Sequence, residues 1–279
     1  MMLIADCGGT KCDWILVSGG EVREVRRLPG VNMATAADGS FAAMLRGLDL
    51  GDDVREIHFY GAGCLGAAAE TAERLLRERF PEALTAEAAS DMLGAARALC
   101  GREAGIACIL GTGSNSCLYD GSEITDNVPP LGYVLGDEGS GAVLGRNLIN
   151  LIFKRRASAE LTAAFSDRFG LSAADVIGRV YRTERPQGFL AGFAPFIYEN
   201  LGFPEVREMV VGSMAEFFRR NVCAYRLHDS LPANFIGSVA ANFASELAEA
   251  ARLTGCSVGR IEASPVEGLV TYHSQQSQS

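Results

Sequence analysis

The chain opens with an apolar run, MMLIAD, followed by a short polar stretch, a second apolar run and a Gly-Gly turn. This pattern predicts a strand, a tight loop and a returning strand. The same order recurs later, where the apolar run GIACIL enters a loop of small polar residues and a second apolar run closes at Asp120-Gly121. The recurrence predicts a duplicated domain that holds a ligand between its two copies.

Apolar residues elsewhere follow helical and strand-like spacings. These spacings predict helices over residues 41–50, 71–79, 92–100, 204–226 and 239–253, and strands over residues 56–60, 84–89 and 234–236. Strands that alternate with helices indicate a mixed α/β fold. The polar tail, residues 274–279, has low sequence complexity, and we expect it to be disordered.

The amino-acid composition excludes several classes of function. The 279 residues suffice for one large domain or two modest ones, and 48% hydrophobic with 21% charged residues is typical of a soluble globular protein. The net charge of −9 argues against nucleic acid as the main partner, because a phosphate backbone requires a basic surface. Neither a signal peptide nor a membrane-spanning segment is recognised, so we expect a cytoplasmic protein.

The eight cysteines are scattered, and no two have the CxxC spacing. In a reducing compartment they should be free thiols that pack as small apolar side chains. We therefore expect neither a zinc site nor a structural disulfide.

The two recurring loops are the candidate ligand sites. Glycine lets the backbone approach a ligand without a Cβ in the way, and short hydroxyl or amide side chains add donors for an anionic group such as phosphate. The first glycine loop comprises Gly8, Gly9, Thr10 and Lys11, and the second comprises Gly111, Thr112, Gly113, Ser114 and Asn115. An ordinary hairpin is the alternative for each loop. A third turn, Gly237-Ser238, follows a strand and precedes a helix, which is a common place for a nucleotide.

Together these segments resemble the superfamily of sugar kinases, acetate kinases, actin and the large heat-shock ATPases. Within it the chain is most similar to the BadF/BadG/BcrA/BcrD-type ATPase family and its N-acetylglucosamine kinase members. The resemblance spans nearly the whole chain and is carried, in order, by Asp6-Cys7-Gly8-Gly9-Thr10-Lys11, Ser90-Asp91, Leu110-Gly111-Thr112-Gly113-Ser114-Asn115, Gly136-Asp137-Glu138-Gly139-Ser140, Ile236-Gly237-Ser238-Val239-Ala240 and Ser264-Pro265-Val266-Glu267-Gly268-Leu269-Val270.

The resemblance implies two ribonuclease-H-like lobes with a central cleft for ATP, Mg²⁺ and an acceptor. Residues 1–104, joined by 263–279, would form the N-terminal lobe, and residues 105–262 the C-terminal lobe with added helices. The family also implies a homodimer. The first glycine loop would face the β- and γ-phosphates, and the second would form another phosphate loop. Gly237 and Ser238 would flank the adenosine.

The same resemblance assigns roles to single polar residues. Asp6 would hold Mg²⁺, and Asp91 would activate the acceptor hydroxyl as a general base. Contacts with the sugar would come from Asn32, Asn115, Asp137 and Glu138. Structural alternatives exist: Asp6 as a turn acceptor, Lys11 as a solvated side chain, and Asp91 or Asp137 as a helix cap.

Two features depart from the N-acetylglucosamine kinase pattern. Leu131-Gly132 stands where those kinases usually have Trp-Gly, and Met33-Ala34 stands near Asn32 where they usually have Trp. These differences imply an altered acceptor pocket. Cys64 lies on a glycine-rich loop like that of the dehydratase activators, but without their surrounding motif, so we interpret it as a small packed side chain.

The sequence therefore favours an ATP-dependent kinase for a sugar hydroxyl, most plausibly on N-acetylglucosamine or a related amino sugar. One alternative is a BadF-type ATPase that acts on a partner protein and needs no sugar. Another is a nucleotide- or sugar-sensing module with little turnover. The combination of Asp91, Asn32 and Asp137 favours the kinase, because a pure ATPase needs no acceptor site.

Overall fold

The computed structural model describes residues 1–37, 39–50 and 53–275. The chain divides into two compact units. The first unit comprises residues 1–104, 119–124 and 264–279, and the second comprises residues 105–118 and 125–263. Each unit is built on a five-stranded sheet with helices, which confirms the predicted mixed α/β class.

The sheet of the first unit has the strand order β3-β2-β1-β4-β5. Its strands are β1 (Met2–Cys7), β2 (Lys11–Ser18), β3 (Glu21–Pro29), β4 (Glu56–Gly61) and β5 (Thr85–Ser90). Strands β1, β4 and β5 run parallel, whereas β2 is antiparallel to both β1 and β3. The carboxyl ends of the three parallel strands therefore reach one edge of the sheet, where ligand sites of α/β proteins commonly lie.

Four helices belong to the first unit: α1 (Ser40–Arg46), α2 (Ala67–Arg79), α3 (Asp91–Cys100) and α13 (Val266–Ser274). The predicted helix over residues 41–50 is too long, because Gly47 ends it. Strand β3 was not predicted from the sequence. It is an edge strand whose residues are mostly exposed, including Val22 and Val25, so it carries no apolar alternation for a pattern to detect.

The core of the first unit packs around the buried aromatic rings of Trp14, Phe41 and Phe59. Cys64 is fully buried in the same cluster, which agrees with the interpretation of a small packed side chain. Burial of these apolar groups is the main stabilising contribution to the unit.

The sheet of the second unit has the order β10-β9-β6-β7-β8. Its strands are β6 (Gly105–Leu110), β7 (Ser114–Tyr119), β8 (Ile124–Asp126), β9 (Ala233–Ile236) and β10 (Val258–Glu262). Strand β9 runs parallel to both β6 and β10. The ends of β6 and β9 therefore bring the second glycine loop and the Gly237 turn to the same edge.

Nine helices of the described residues belong to the second unit: α4 (Gly132–Leu135), α5 (Gly141–Phe153), α6 (Ala159–Phe169), α7 (Ala173–Tyr181), α8 (Pro186–Ala191), α9 (Ala194–Glu199), α10 (Pro204–Arg220), α11 (Ser238–Asn242) and α12 (Ala244–Thr254). Two predictions were wrong here. Helix α10 ends at Arg220 rather than at residue 226, because a 3₁₀ turn, Val222–Ala224, follows Asn221. The helix predicted over residues 239–253 is broken at Phe243 into α11 and α12.

None of the helices within the described ranges is long and apolar enough to cross a membrane. At the carboxyl end, helix α13 ends at Ser274, so the first residue of the predicted disordered tail is helical. The remainder of the predicted disordered tail, residues 276–279, lies outside the described residues.

Candidate active site

The parallel strands of the first unit place two candidate carboxylates at one sheet edge. Asp6 on β1 is in register with Tyr60 on β4, which is in register with Ala89 on β5. One residue further along β5 is Ser90, and Asp91 then begins helix α3. Pairing of parallel strands in this register is what brings Asp6 and Asp91 together, although most of a domain's sequence separates them.

The first glycine loop joins β1 to β2 beside the cross-strand pair Cys7 and Cys12. A Cβ added to Gly9 would meet no atom within 4 Å, so this side of the loop is open to a ligand. The opposite side is closed by Gly30, whose N–H donates to the carbonyl oxygen of Thr10 at 3.0 Å. A Cβ on Gly30 would lie 2.1 Å from the carbonyl oxygen of Gly8. Sequence reasoning missed Gly30 as the support of the loop.

Asn32 lies on a loop that is attached to the same edge through Ala62. The N–H of Met33 donates to the carbonyl oxygen of Ala62 at 2.8 Å. The N–H of Ala62 in turn donates to the carbonyl oxygen of Cys7 at 2.8 Å. The side-chain oxygen of Asn32 accepts a hydrogen bond from the N–H of Ala34 at 3.0 Å. The amide nitrogen of Asn32 is therefore the part of the side chain that can serve a ligand.

Burial raises the pKa of Asp6 to about 6, against the opposing charge of Lys11 and with smaller contributions from Asp91 and Asp13. A buried carboxylate of this kind favours a nearby cation. The described ranges contain no group of three or more His, Cys, Asp or Glu side chains that could hold a metal ion. Mg²⁺ usually needs only one or two carboxylates together with phosphate oxygens and water, so Asp6 beside the first glycine loop fits this ion.

Burial also raises the pKa of Asp91 to about 6, although the N–H of Met92 donates to its Oδ1 at 2.9 Å and lowers the pKa. The helix cap is Ser90, whose Oγ accepts from the N–H of Leu93 at 3.1 Å. The capping role therefore belongs to Ser90 and not to Asp91. The Asp91 carboxylate uses Oδ1 within its own helix turn, so Oδ2 is the atom suited to an acceptor hydroxyl.

Lys11 takes part in a charge cluster on β2 and β3. Its Nζ lies 3.2 Å from Oδ2 of Asp13, and Arg27 donates to both oxygens of Asp13 at 2.6 and 3.0 Å. Burial opposes ionisation of Asp13, but the hydrogen bonds from Arg27 and the charge of Lys11 hold its pKa below the ordinary value. The Lys11 side chain itself is half exposed. Asp13 was not predicted as a site residue; Lys-x-Asp spacing on a strand, which puts both side chains on one face, was the available signal.

The second glycine loop is held from two directions within its unit. The N–H groups of Gly141 and Ala142, at the start of α5, donate to the carbonyl oxygens of Gly111 at 2.8 Å and Thr112 at 3.1 Å. Gly237 has φ +121°, and a Cβ there would lie 2.3 Å from the carbonyl oxygen of Leu110. The structure therefore brings the second loop and the Gly237-Ser238 turn together, as a nucleotide site would require.

Ser114 and Asn115 lead from this loop into β7. Ser114 is buried, and its N–H faces Oδ1 of Asp137 at 3.4 Å. The side-chain oxygen of Asn115 accepts from the N–H of Ser116 at 2.9 Å and from the amide of Asn127 at 3.1 Å. As with Asn32, the amide nitrogen is the part of Asn115 that a ligand can use.

The adjacent carboxylates of Asp137 and Glu138 have different partners. Asp137 adopts a left-handed φ of 53°, and its carboxylate lies against Gly113 and Ser114 of the second loop. Burial raises its pKa to about 6. Glu138 instead pairs with Arg220 at 3.1 Å and lines a polar groove of about 730 Å³ within the second unit. The cap of α5 is Ser140, whose Oγ accepts from the N–H of Val143 at 3.3 Å, so neither carboxylate has the capping role.

Comparison with solved structures agrees with this architecture. The chain is 44% identical, with a TM-score of 0.96, to a protein of Porphyromonas gingivalis that carries the provisional name N-acetylglucosamine kinase; the match covers 99% of this chain and 100% of that one. A second structure with the same provisional name, from Chromobacterium violaceum, is 20% identical with a TM-score of 0.70 and coverages of 97% and 98%.

A glucokinase of the ROK family from Streptomyces griseus, solved with glucose and AMPPNP, is 15% identical with a TM-score of 0.57 and coverages of 99% and 100%. At these lower identities the likeness shows the fold alone. No protein-family model and no curated protein sequence matches the chain. The full-length match at 44% identity decides the family. The chain belongs to the N-acetylglucosamine kinase-like branch of the BadF/BadG/BcrA/BcrD-type family, within the sugar kinase and actin superfamily.

Proposed function

We propose that this protein is an ATP-dependent kinase that phosphorylates a hydroxyl of a sugar, with N-acetylglucosamine or a related amino sugar as the acceptor. The observation that carries the proposal is the meeting of Asp6, Asp91 and the first glycine loop at one edge of the sheet. Phosphoryl transfer requires a group that neutralises phosphate charge and a group that orients the attacking hydroxyl. This edge provides candidates for both.

Asp91 is the proposed general base. Its pKa of about 6 leaves most of the carboxylate ionised at neutral pH, yet close enough to that pH to accept a proton from the sugar hydroxyl. The hydrogen bond from Met92 fixes Oδ1, so the carboxylate is oriented before the acceptor binds. Pre-orientation lowers the entropic cost of bringing the hydroxyl in line with the γ-phosphate.

The glycine loops are the proposed ATP contacts. Backbone N–H groups of Gly8, Gly9 and Thr10, with the ammonium group of Lys11, would bind the β- and γ-phosphates. Thr112, Gly113 and Ser114, together with Gly111, would form the second phosphate loop, while Gly237 and Ser238 would flank the adenosine. The open side of Gly9 and the close packing of Gly237 against Leu110 support this assignment.

Asp6 would hold Mg²⁺. The ion, when bound, neutralises part of the phosphate charge that develops during transfer. Asp6 would orient water molecules around the ion.

Asn32, Asn115, Asp137 and Glu138 are the proposed acceptor contacts. Carboxylate and amide groups pair well with sugar hydroxyls. Leu131 is 62% exposed in the second unit, at the position where related kinases carry Trp. A smaller aliphatic side chain there would widen the acceptor pocket and change the substituents that it accepts.

The burial of Cys64 disfavours the alternative of an activator-type ATPase. Its side chain is fully buried, and burial raises the pKa of the thiol to about 12, which is the opposite of what a cluster ligand needs. The division into lobes at residues 104/105 and 262/263 is part of the same proposal. A homodimer and a cytoplasmic location stay predictions.

The decisive experiment is a coupled assay of ADP release from Mg-ATP across a panel of sugars and amino sugars. We expect strong stimulation by one amino sugar over the control without sugar. Turnover that does not respond to any sugar would reject the kinase and favour the partner-driven ATPase. ATP binding without turnover under any condition would favour a sensing module.

A further inference from the structure

Two cysteines of the second unit meet in space although the sequence gives them no shared motif. The sulfur atoms of Cys223 and Cys256 are 3.5 Å apart, although the two residues are 33 positions apart in the sequence. Both side chains are half-buried, and each has an exposed neighbour in sequence, Ala224 and Gly255 respectively. The pair is therefore within reach of a small reagent from solvent.

Each cysteine is held on a hydrogen-bonded turn at the end of a helix. Cys223 lies in the 3₁₀ turn after α10, where the N–H of Ala224 donates to the carbonyl oxygen of Asn221 at 3.2 Å. Cys256 follows Gly255, the left-handed cap of α12, and its own N–H donates to the carbonyl oxygen of Ala251 at 3.0 Å. Hydrogen-bonded turns of this kind keep the two backbones in place. The short sulfur separation is thus a property of the fold rather than of two loose segments.

The pair joins two helices that are already linked at their other ends. Helices α10 and α12 pack against each other. Near their amino-terminal ends, Arg207 of α10 pairs with Glu246 and Glu249 of α12. A bond between Cys223 and Cys256 would tie the carboxyl-terminal ends in the same way.

We propose that Cys223 and Cys256 form a site of reversible oxidation, at which a peroxide converts the two thiols into a disulfide. In the first step the sulfur of one cysteine attacks a peroxide oxygen, the O–O bond breaks, and a sulfenic acid and water form. In the second step the other sulfur attacks the sulfenic sulfur, the S–S bond forms, and the hydroxyl leaves as water with the remaining thiol proton. The two thiols are oxidised by two electrons, and hydrogen peroxide is reduced to two molecules of water.

Burial and the neighbouring Cys256 raise the pKa of the Cys223 thiol to about 11, with partial opposition from Arg219. Either sulfur can make the first attack, because the other lies 3.5 Å away and can attack the sulfenic acid that forms. The sulfurs must then approach by about 1.5 Å to reach a disulfide bond length.

The other cysteines provide internal controls. Cys7, Cys12, Cys64, Cys108 and Cys117 are fully buried and should resist the reagent in the folded chain. Cys100 is half-buried like the pair, so Cys100→Ser is the matched control for Cys223→Ser and Cys256→Ser.

The test treats the reduced full-length protein with hydrogen peroxide, alkylates the remaining thiols and maps peptides without reduction. We expect the loss of two thiols per chain, a peptide cross-linked between Cys223 and Cys256, and recovery of both thiols with dithiothreitol. The C100S protein should behave the same way. Two thiols that stay alkylatable, separate sulfinic acids, or cross-links only between chains would overturn the proposal.

The single variants keep the test decisive. In the C223S protein Cys256 should stop at the sulfenic acid, which a cyclic 1,3-diketone traps, and Cys223 should do the same in the C256S protein. A sulfenic acid in neither variant would overturn the proposal. Oxidised wild type and oxidised C100S should melt several degrees above their reduced forms, because a cross-link restricts the unfolded chain. The C223S protein should show no such shift, and an equal shift there would contradict a disulfide at this site.

Discussion

The two glycine loops arise from the same sequence pattern but have different electrostatic surroundings. The first loop has charged groups close by: Asp6 at the end of β1, and Lys11 paired with Asp13. The second loop contains no charged residue and is held by backbone contacts from Gly141, Ala142 and Gly237. The buried carboxylate of Asp137 lies against it.

Under the proposed function, this difference predicts different contributions from the two loops to phosphate binding. Phosphate charge is best neutralised where a cation and a carboxylate able to hold a metal ion are available, as we propose for the first loop. A loop with only backbone N–H groups can position a phosphate, but it can do less to offset charge that develops during transfer. The following predictions test this contrast, from the largest expected effect to the smallest.

The largest expected contrast is between the carboxylates of Asp91 and Asp137, one in each unit, both of which have a raised pKa. Asp91→Asn, or Asp91→Ala, should lower sugar-dependent turnover by about 10²- to 10⁴-fold, because the general base is lost. ATP binding should be spared. Asp137→Asn should instead raise KM for the sugar and largely preserve kcat. Steady-state kinetics with a separate ATP titration measure both effects.

The pH profile supplies an internal check on this first prediction. With a pKa of about 6 for both Asp6 and Asp91, kcat/KM should fall as the pH drops through about 6, because both carboxylates take up protons. Unchanged turnover in the Asp91 variants would remove this residue from the mechanism.

The next largest effect is expected from a substitution at Gly30, which packs against the first glycine loop. Gly30→Ala puts a Cβ 2.1 Å from the carbonyl oxygen of Gly8 and 2.7 Å from the nitrogen of Thr10. We expect a loss of about 1–3 kcal/mol in the free energy of unfolding and weaker ATP binding, measured by denaturant titration and calorimetry. Gly202→Ala is the control, since a Cβ there meets nothing within 4 Å. An undisturbed Gly30→Ala protein would show that the loop is not held from that side.

Asp137 should make stability depend on pH. Its folded pKa of about 6 exceeds the ordinary 3.8, so its stabilising contribution is full below about pH 4 and is lost as the pH rises through 6. Asp137→Asn should therefore be more stable than wild type at pH 7, by about 3 kcal/mol, and nearly equal to it in stability at pH 4. Denaturant unfolding at both pH values checks this. A difference that does not change with pH would contradict the buried, ionised carboxylate.

Gly9 and Gly111 allow the two loops to be compared by the same substitution. A Cβ at either position meets no protein atom within 4 Å, so alanine should leave stability almost unchanged. If phosphates approach both loops, each variant should bind ATP about tenfold more weakly, a loss of about 1.4 kcal/mol. A loss confined to Gly9→Ala would mean that the second loop serves the fold and does not contact the phosphates.

The smallest effect concerns the two cations that share Asp13. Lys11→Met should weaken ATP binding by a few-fold, because a phosphate contact is lost, whereas Arg27→Met should leave ATP affinity unchanged. Both variants remove one partner of Asp13, so they serve as controls for each other. Equal effects on ATP affinity would place Lys11 among the structural ion pairs of the sheet.

Local sequence patterns were sufficient to predict most strands and helices, but they predicted none of the distances between residues far apart in the chain. The strands of both hairpins and the helix beginning at Asp91 follow directly from apolar spacing and turn residues. Edge strand β3 was missed because its exposed residues carry no such spacing. The break at Phe243 was missed because the apolar pattern continues across it, and only packing against the rest of the second unit decides where α11 ends.

The candidate site residues also divide into those that the sequence could identify and those that it could not. The polar and glycine residues of the loops could be named from sequence, since their chemistry is local. The role of Gly30 could not, because Gly30 acts by contact with a loop about twenty residues earlier. The spacing of Lys11 and Asp13 could have indicated their pairing, but the contact of Asp13 with Arg27 depends on pairing across strands. The separation of Asp137 from Glu138 depends on one left-handed backbone position, for which neighbouring sequence gave no signal.

By itself the sequence determined the duplicated strand-loop-strand pattern, the mixed α/β class and the family, because periodicity and short motifs are local properties of the chain. Only the tertiary structure decided which residues meet. Parallel pairing of β1, β4 and β5 aligns Asp6 with the start of α3, and the packing of α10 on α12 brings Cys223 to Cys256. Such contacts join residues far apart in the chain, and their geometry depends on strand register and helix packing, which no single stretch of sequence encodes.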